Sequence, residues 1–234
     1  MLRTQSHVVL LGDSVFDSHA YLRGAPDMAA RLGRTADDLR ASLRAVSGSR
    51  LADIPRQLAR LPENASHMIV SIGGNDLLDL GAQLRHAPGG WLEKMRSAAP
   101  LMDEFRKRYM SACEALAQRP LPTAVCTIYD PPVTDPMLRM VASTISAAVN
   151  DVVSEQARRR GFDVIDLRPV CRAPEDFYDP IHPSPTGADK IARVLAEWVK
   201  RVDARAERSR STNDQSLRPT NSPNLRASEA AAKR

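Results

Sequence analysis

Aromatic residues make up only 4% of this 234-residue chain, so any core it builds has to be aliphatic. Cysteine is scarce as well. Cys113, Cys126 and Cys171 are odd in number, widely spaced and contain no CxxC pair. That usage suits buried free thiols in a reducing compartment better than a disulfide framework. Long apolar runs are missing too. The longest runs are short, such as the four residues 8–11, against the ~20 apolar residues that a bilayer span needs. The same run is short of the ~7–15-residue apolar stretch of a signal peptide, and Gly12-Asp13-Ser14 follows at once. Residues 7–11 therefore read as a first core strand, and the expected location is cytoplasmic with no membrane partner.

Positive charge is in slight surplus, but it sits in the wrong place for nucleic acid. The net charge is +5, and residues 203–234, with seven basic and four acidic side chains, carry +3 of it. The body of the chain is near neutral and has no basic stripe interleaved with aromatics, so no nucleic-acid partner is expected. From residue 205 onward the chain turns polar, with Pro219 and Pro223. Such a segment buries too little apolar surface to offset its ordering entropy. The reading is one domain over 1–204 and a disordered polar, basic tail over 205–234, inert or a contact for a partner or an anionic surface.

Within 1–204 short β-rich runs alternate with helical segments. Strands are expected near 7–11, 42–46, 67–72, 123–128 and 162–165. Helices are expected near 26–34, 51–61, 92–118, 136–160 and 185–202, with Pro100 breaking or kinking the third near its start. Residues 36–40 also read as helix, which makes the strand at 42–46 the least secure. Five strands alternating with helices imply a parallel sheet covered on both faces, a three-layer α/β/α sandwich. Right-handed crossovers then put the loops after the strands along one edge.

Four stretches at that edge could carry chemistry. Gly12-Asp13-Ser14 could project a serine hydroxyl from the end of the first strand, or merely cap a helix. Gly73-Gly74-Asn75-Asp76 could present the Asn75 amide, or form an ordinary turn. In Asp179-Pro180-Ile181-His182-Pro183, a carboxylate and an imidazole three apart in a stiffened loop could pair through Nδ1 and leave Nε2 free to take a proton. A surface turn ahead of a helix starting at Pro185 is the plainer alternative. In Ser47-Gly48-Ser49, Gly48 could aim a backbone N–H into the same space. The other histidines do not sit at metal-ligand spacing, and no metal or organic cofactor is expected.

Taken in order (Ser14, Gly48, Asn75, then Asp179 and His182), the four stretches resemble the blocks of the SGNH, or GDSL-type, hydrolases over most of residues 7–203. Val15 stands where the family name has leucine. The resemblance implies a five-stranded parallel sheet of flavodoxin-like topology. It implies a serine esterase with Ser14 as nucleophile, His182 as base and Asp179 as its partner. The oxyanion hole would be the backbone N–H groups of Ser14 and Gly48 and the Asn75 amide. The expected substrate is a small-molecule ester, acetyl or short-acyl. The competing reading is a binding protein that kept the fold and lost turnover. Oligomeric state is not legible in the sequence.

Several neighbouring residues admit more than one role. Asp13 and Asp76 are expected to hydrogen-bond within their loops. Asp17, Tyr21 and the stretch from Tyr129 to Pro132 could line the pocket. Residues 77–91 read as a lid or a surface loop. Met137 and Met140, at helical spacing, read as core.

Overall fold

The computed structural model describes residues 5–216 apart from Arg23 and Asp37. Five strands lie parallel in one sheet of order β2-β1-β3-β4-β5: β1 Ser6–Gly12, β2 Leu39–Leu43, β3 His67–Ser71, β4 Thr123–Cys126 and β5 Asp163–Ile165. Six helices connect or follow them: α1 Met28–Gly33, α2 Ile54–Leu58, α3 Gly74–His86, α4 Trp91–Ala117, α5 Pro136–Arg160 and α6 Pro185–Ser216. The expected α/β sandwich with flavodoxin-like strand order is thus the observed one.

Period-two alternation divides the strand side chains between two apolar layers. Val9 and Leu11 of β1, Met68 and Val70 of β3 and Val125 of β4 join one cluster with α2, α4 and α5. Their neighbours Val8, Leu10, Ile69 and Ala124 are equally buried on the opposite face. There His67 meets Trp198 of α6 edge-on at 5.7 Å, and the Trp198 indole donates to Asp163 at 2.8 Å. The buried Arg31 of α1 pairs with Asp189 and donates to the Pro185 carbonyl at 3.1 Å, which joins α1 to the start of α6. A core built this way needs few aromatics. Each buried Val, Leu or Ile contributes roughly 1.5–3 kcal/mol.

The larger departures of the backbone from expectation are four. Residues 39–43, not 42–46, form β2, because Leu39 and Arg40 pair in register with Ser6 and His7. Helix α4 runs unbroken through Pro100. Beyond the proline, Phe105, Tyr109, Ala112, Cys113 and Leu116 are buried at helical spacing, and that packing outweighs the missing N–H. Residues 77–86 are not a loop but most of helix α3. The fourth departure concerns the tail. The residues up to Val199 form one compact unit and those from Lys200 a second, described by itself. In the second unit the chain remains helical to Ser216, past the expected boundary at 204–205, through good helix formers such as Ala204, Arg205, Ala206 and Glu207. Residues 217–234 of the expected tail lie outside the described residues. No helix among the described residues is long and apolar enough to cross a membrane.

Candidate active site

In this strand order the chain leaves β1 for β2 on one side and returns to β3 on the other. The crevice between β1 and β3 is the place where open α/β sheets bind ligands. Ser14 follows β1 and Asn75 follows β3, so both stand at that switch point. The Asp13 N–H continues the ladder to the Ser71 carbonyl at 3.0 Å. The chain then turns sharply: the N–H groups of Phe16 and Asp17 both donate to the Asp13 carbonyl, at 3.2 and 3.1 Å, and the Asp13 carboxylate accepts from Val15 N–H at 3.1 Å. The fully buried Phe16 ring anchors the turn from below.

A side chain that sequence reasoning missed holds the strand end. Gln57 of α2 is buried and brackets Gly12, accepting its N–H at 2.7 Å and donating to its carbonyl at 2.8 Å. Its amide also donates to Ser49 Oγ at 3.2 Å, which links the β1 end to the loop after β2. Nothing in Arg56-Gln57-Leu58 marks this role.

Gly48 sits in that loop with φ +82°, a left-handed conformation natural to glycine. Asp17 accepts the Ser47 N–H at 2.9 Å, and Asn75 Nδ2 donates to the Ser49 carbonyl at 2.9 Å. The loop bearing Gly48 is therefore tied to both the Ser14 turn and the Asn75 helix. Arg50 adds a two-pronged bridge to Asp79 of α3, at 2.6 and 3.1 Å. Among the hydrogen bonds of the described residues, neither the Ser14 N–H nor the Gly48 N–H donates to a protein acceptor. Asn75, with two amide hydrogens, keeps one after its bond to Ser49.

Asp179 and His182 meet in the loop before α6. Asp179 Oδ2 lies 2.7 Å from His182 Nδ1, while Oδ1 accepts the N–H groups of Ile181 and His182, each at 2.9 Å. Burial acts to raise the Asp179 carboxyl, but its bond to His182 and the backbone donors outweigh it and hold the group below the usual carboxylate range. The loop closes on itself, with Tyr178 N–H donating to the His182 carbonyl at 2.9 Å. Tyr129, after β4, donates its hydroxyl to the Ile181 carbonyl at 2.7 Å. Tyr21 bridges the two halves of the site. Its hydroxyl donates to the Ser14 carbonyl at 2.7 Å, and its ring stacks on His182 with centroids 4.2 Å apart.

Asp13 bonds within its own turn, as expected, whereas Asp76, in the first turn of α3, reaches across to Leu51, and burial gives Asp13 a second consequence. Its carboxyl is pushed up to about 7, first by burial and further by nearby Asp76, against the pull of the Val15 N–H. Asp76 is also raised by burial, opposed by its bond to Leu51 N–H at 3.0 Å. Because Asp13 lies above its ordinary value of about 4, the native state holds that proton more tightly than the unfolded chain between about pH 4 and pH 7. Raising the pH through this window removes stability, on the order of a few kcal/mol in full. Thermal melts should show the wild type losing more stability between pH 5 and pH 8 than Asp13→Asn, and equal losses would refute the buried proton.

A cavity of about 440 Å³ opens beside Ser14 and Asn75. Its walls are aliphatic: Leu77, Leu80 and Leu84 of α3, Leu101 and Met102 of α4, and Ile145 of α5. Tyr129, Pro131 and Ile181 also line it, whereas Asp17 and Tyr21 do not. The helix that stands in place of a surface loop is thus a wall of this cavity. Met137 and Met140 are not core: they are 63% and 59% exposed on the first turns of α5, with Leu138 beside them at 61%. Those turns lead into Ala142 and Ile145, which line the cavity.

A serine at the switch point of a flavodoxin-like sheet, with no nucleophile elbow, marks a class of α/β enzymes apart from the α/β-hydrolase fold. Residues 10–190 match the model of the GDSL-like lipase/acylhydrolase family, and the chain belongs to that family. It is accordingly a carboxylic ester hydrolase of the GDSL type. No curated protein matches the chain in sequence. Among solved structures it is similar to an extracellular lipase from Streptomyces rimosus, at 19% identity and TM-score 0.62, over 82% of this chain and 99% of that one. It is similar to a phospholipase A1 from Streptomyces albidoflavus NA297, at 17% identity and TM-score 0.63, over the same 82% and 99%. The psychrotrophic esterase EstA from Pseudoalteromonas sp., in a structure inhibited by monoethylphosphonate, gives 15% identity and TM-score 0.58, over 83% and 99%.

Proposed function

We propose that the protein hydrolyses carboxylic esters through an acyl-enzyme on Ser14, with His182 as general base and Asp179 as its orienting partner. The observation that carries this reading is the 2.7 Å Asp179–His182 contact, joined through Tyr21 to the Ser14 turn. Asp179 on Nδ1 sets the tautomer that leaves Nε2 able to accept a proton. Ser14 Oγ attacks the acyl carbonyl as His182 takes its proton. The oxyanion that forms is met by the N–H groups of Ser14 and Gly48 and by the second hydrogen of the Asn75 amide. His182 returns the proton to the leaving alcohol. Water then repeats the cycle on the acyl-enzyme and releases the acid. The EstA structure inhibited by a phosphonate is consistent with such a nucleophile in that relative. The three buried, unpaired cysteines support a reducing, cytoplasmic setting.

The cavity bears on the substrate. Its aliphatic lining and its volume fit an acyl chain longer than acetyl, so the preference extends from short to medium-length acyl esters. Each methylene buried there is worth about 0.8 kcal/mol, or roughly fourfold in kcat/KM if the gain is realised in the transition state. The test is hydrolysis of p-nitrophenyl acetate, butyrate, hexanoate and octanoate, with fluorophosphonate labelling alongside. A rise of about fourfold per methylene up to a plateau is expected. Acetate as the best substrate would show that the cavity does not hold the acyl chain. A folded protein that neither labels nor turns over any ester would be a binding protein on this fold.

A further inference from the structure

We propose that Tyr21 is a positioning residue for the hydrolytic reaction: one side chain fixes the nucleophile's peptide and supports the imidazolium formed on His182. The inference rests on the assignment of Ser14, Asp179 and His182 made above. Tyr21 is placed by a tight turn in which the N–H groups of Tyr21 and Leu22 both donate to the Ser18 carbonyl, at 3.2 and 2.8 Å. Leu22 and Ser18 are buried, so the turn is anchored to the core. From there the hydroxyl reaches back to the Ser14 carbonyl at 2.7 Å. The ring lies nearly flat on His182, 4.2 Å between centroids and 25° between planes. The imidazole is thereby held on two sides, by Asp179 at its Nδ1 edge and by Tyr21 across one face.

The two contacts do different things during turnover. The bond to the Ser14 carbonyl is present throughout and fixes the Ser14–Val15 peptide, and with it the direction from which Oγ leaves the turn. The stack changes character. Before reaction the imidazole is neutral and gains ordinary ring packing. Once it has taken the serine proton it is a cation over the face of a phenol, well inside the ~6 Å range of a cation–π contact. An interaction that strengthens as the proton arrives lowers the barrier rather than merely aiding binding. The hydroxyl is suited to act as a donor. Burial, then the surrounding carboxylates of Asp13, Asp179 and Asp17, raise its ionisation above the ordinary tyrosine range, with only Arg31 opposing. Tyr178, 5.8 Å from Tyr21 and tilted, is itself exposed and leaves the His182 stack to Tyr21.

Two substitutions separate the roles. Tyr21→Leu removes both contacts, whereas Tyr21→Phe keeps the ring. Tyr21→Leu should lower kcat about 10- to 100-fold with KM changed less than about twofold, and move the acid limb of the pH–kcat/KM profile to lower pH. Tyr21→Phe should restore the position of that limb and lose only about 2- to 10-fold in kcat, the share of the hydrogen bond. In a His182→Ala background Tyr21→Leu should cost no more than that hydrogen-bond share, about 2- to 10-fold, because the stacking partner is gone. Melting temperatures identify variants that fold, and Tyr21→Met replaces Tyr21→Leu if the latter does not. A folded Tyr21→Leu with wild-type kcat and an unmoved acid limb overturns the proposal. So does a loss of the same size in the His182→Ala background, which would mean that Tyr21 acts on the fold and not through the base. Full turnover in Ser14→Ala would instead bring down the assignment on which the proposal rests.

Discussion

Ser14→Ala is expected to lose about four to six orders of magnitude in kcat on p-nitrophenyl butyrate, and all labelling by fluorophosphonate, with its melting temperature unchanged. The turn is held by backbone bonds, by Asp13 and by the Tyr21 hydroxyl on the Ser14 carbonyl, none of which involves the Ser14 hydroxyl, so its removal breaks no hydrogen bond that supports the fold. His182→Ala should fall by a similar factor. Combining the two should cost little more, because nucleophile and base act as one unit. Asn75→Ala should lose less, about 100- to 1000-fold, as one of three oxyanion donors. Its bond to the Ser49 carbonyl also disappears, so part of that loss reflects a looser Gly48 loop. A Ser14→Ala enzyme that still turns over esters within tenfold of wild type would sink the nucleophile assignment.

Gly12→Ala is expected to be the most damaging single substitution to the fold. Gly12 has φ +129°, and an added Cβ would lie 1.8 Å from the Ser71 carbonyl oxygen and 2.6 Å from its carbon. The obstruction is backbone of the adjacent strand, not a side chain that could rotate away. The same glycine is bracketed by Gln57 on both its N–H and its carbonyl, so it cannot shift without breaking buried hydrogen bonds. A loss of about 4 kcal/mol or more follows, at the upper end for point substitutions. Chemical denaturation checks it. A variant within about 1 kcal/mol of wild type would show that the β1–β3 junction can open there. Any folded Gly12→Ala should also be catalytically poor, because Ser14 follows two residues on.

Legibility in the sequence tracked how local each signal was. Strands β1, β3, β4 and β5 stand close to their expected positions because buried parallel strands show as short apolar runs bounded by turn residues. Helix α5 begins at the expected proline and ends before Gly161. Strand β2 starts three residues before its expected position because it lies at the sheet's edge, where only Leu39 is fully buried. Helix α3 was missed because Gly73, Gly74 and Gly81 read as loop, while its Leu77, Leu80 and Leu84 are apolar for the sake of a cavity. Met137 and Met140 have helical spacing, but spacing does not say whether a helix face meets a partner.

By itself the sequence determined the fold class, the family blocks and which polar residues follow β1 and β3. Short-range physics is enough for these: period-two burial, glycine turns, and a carboxylate and imidazole three residues apart. Tertiary structure alone decided what depends on groups distant in the chain. Gln57 reaches Gly12 across 45 residues, and Tyr21 lies against a histidine more than 150 residues away. Three helices enclose an aliphatic cavity that none of them displays alone. Burial lifts Asp13 to about 7 because other segments exclude water from it. A linear pattern records what each residue can do; which partner it meets, and whether water reaches it, is settled only when the chain packs.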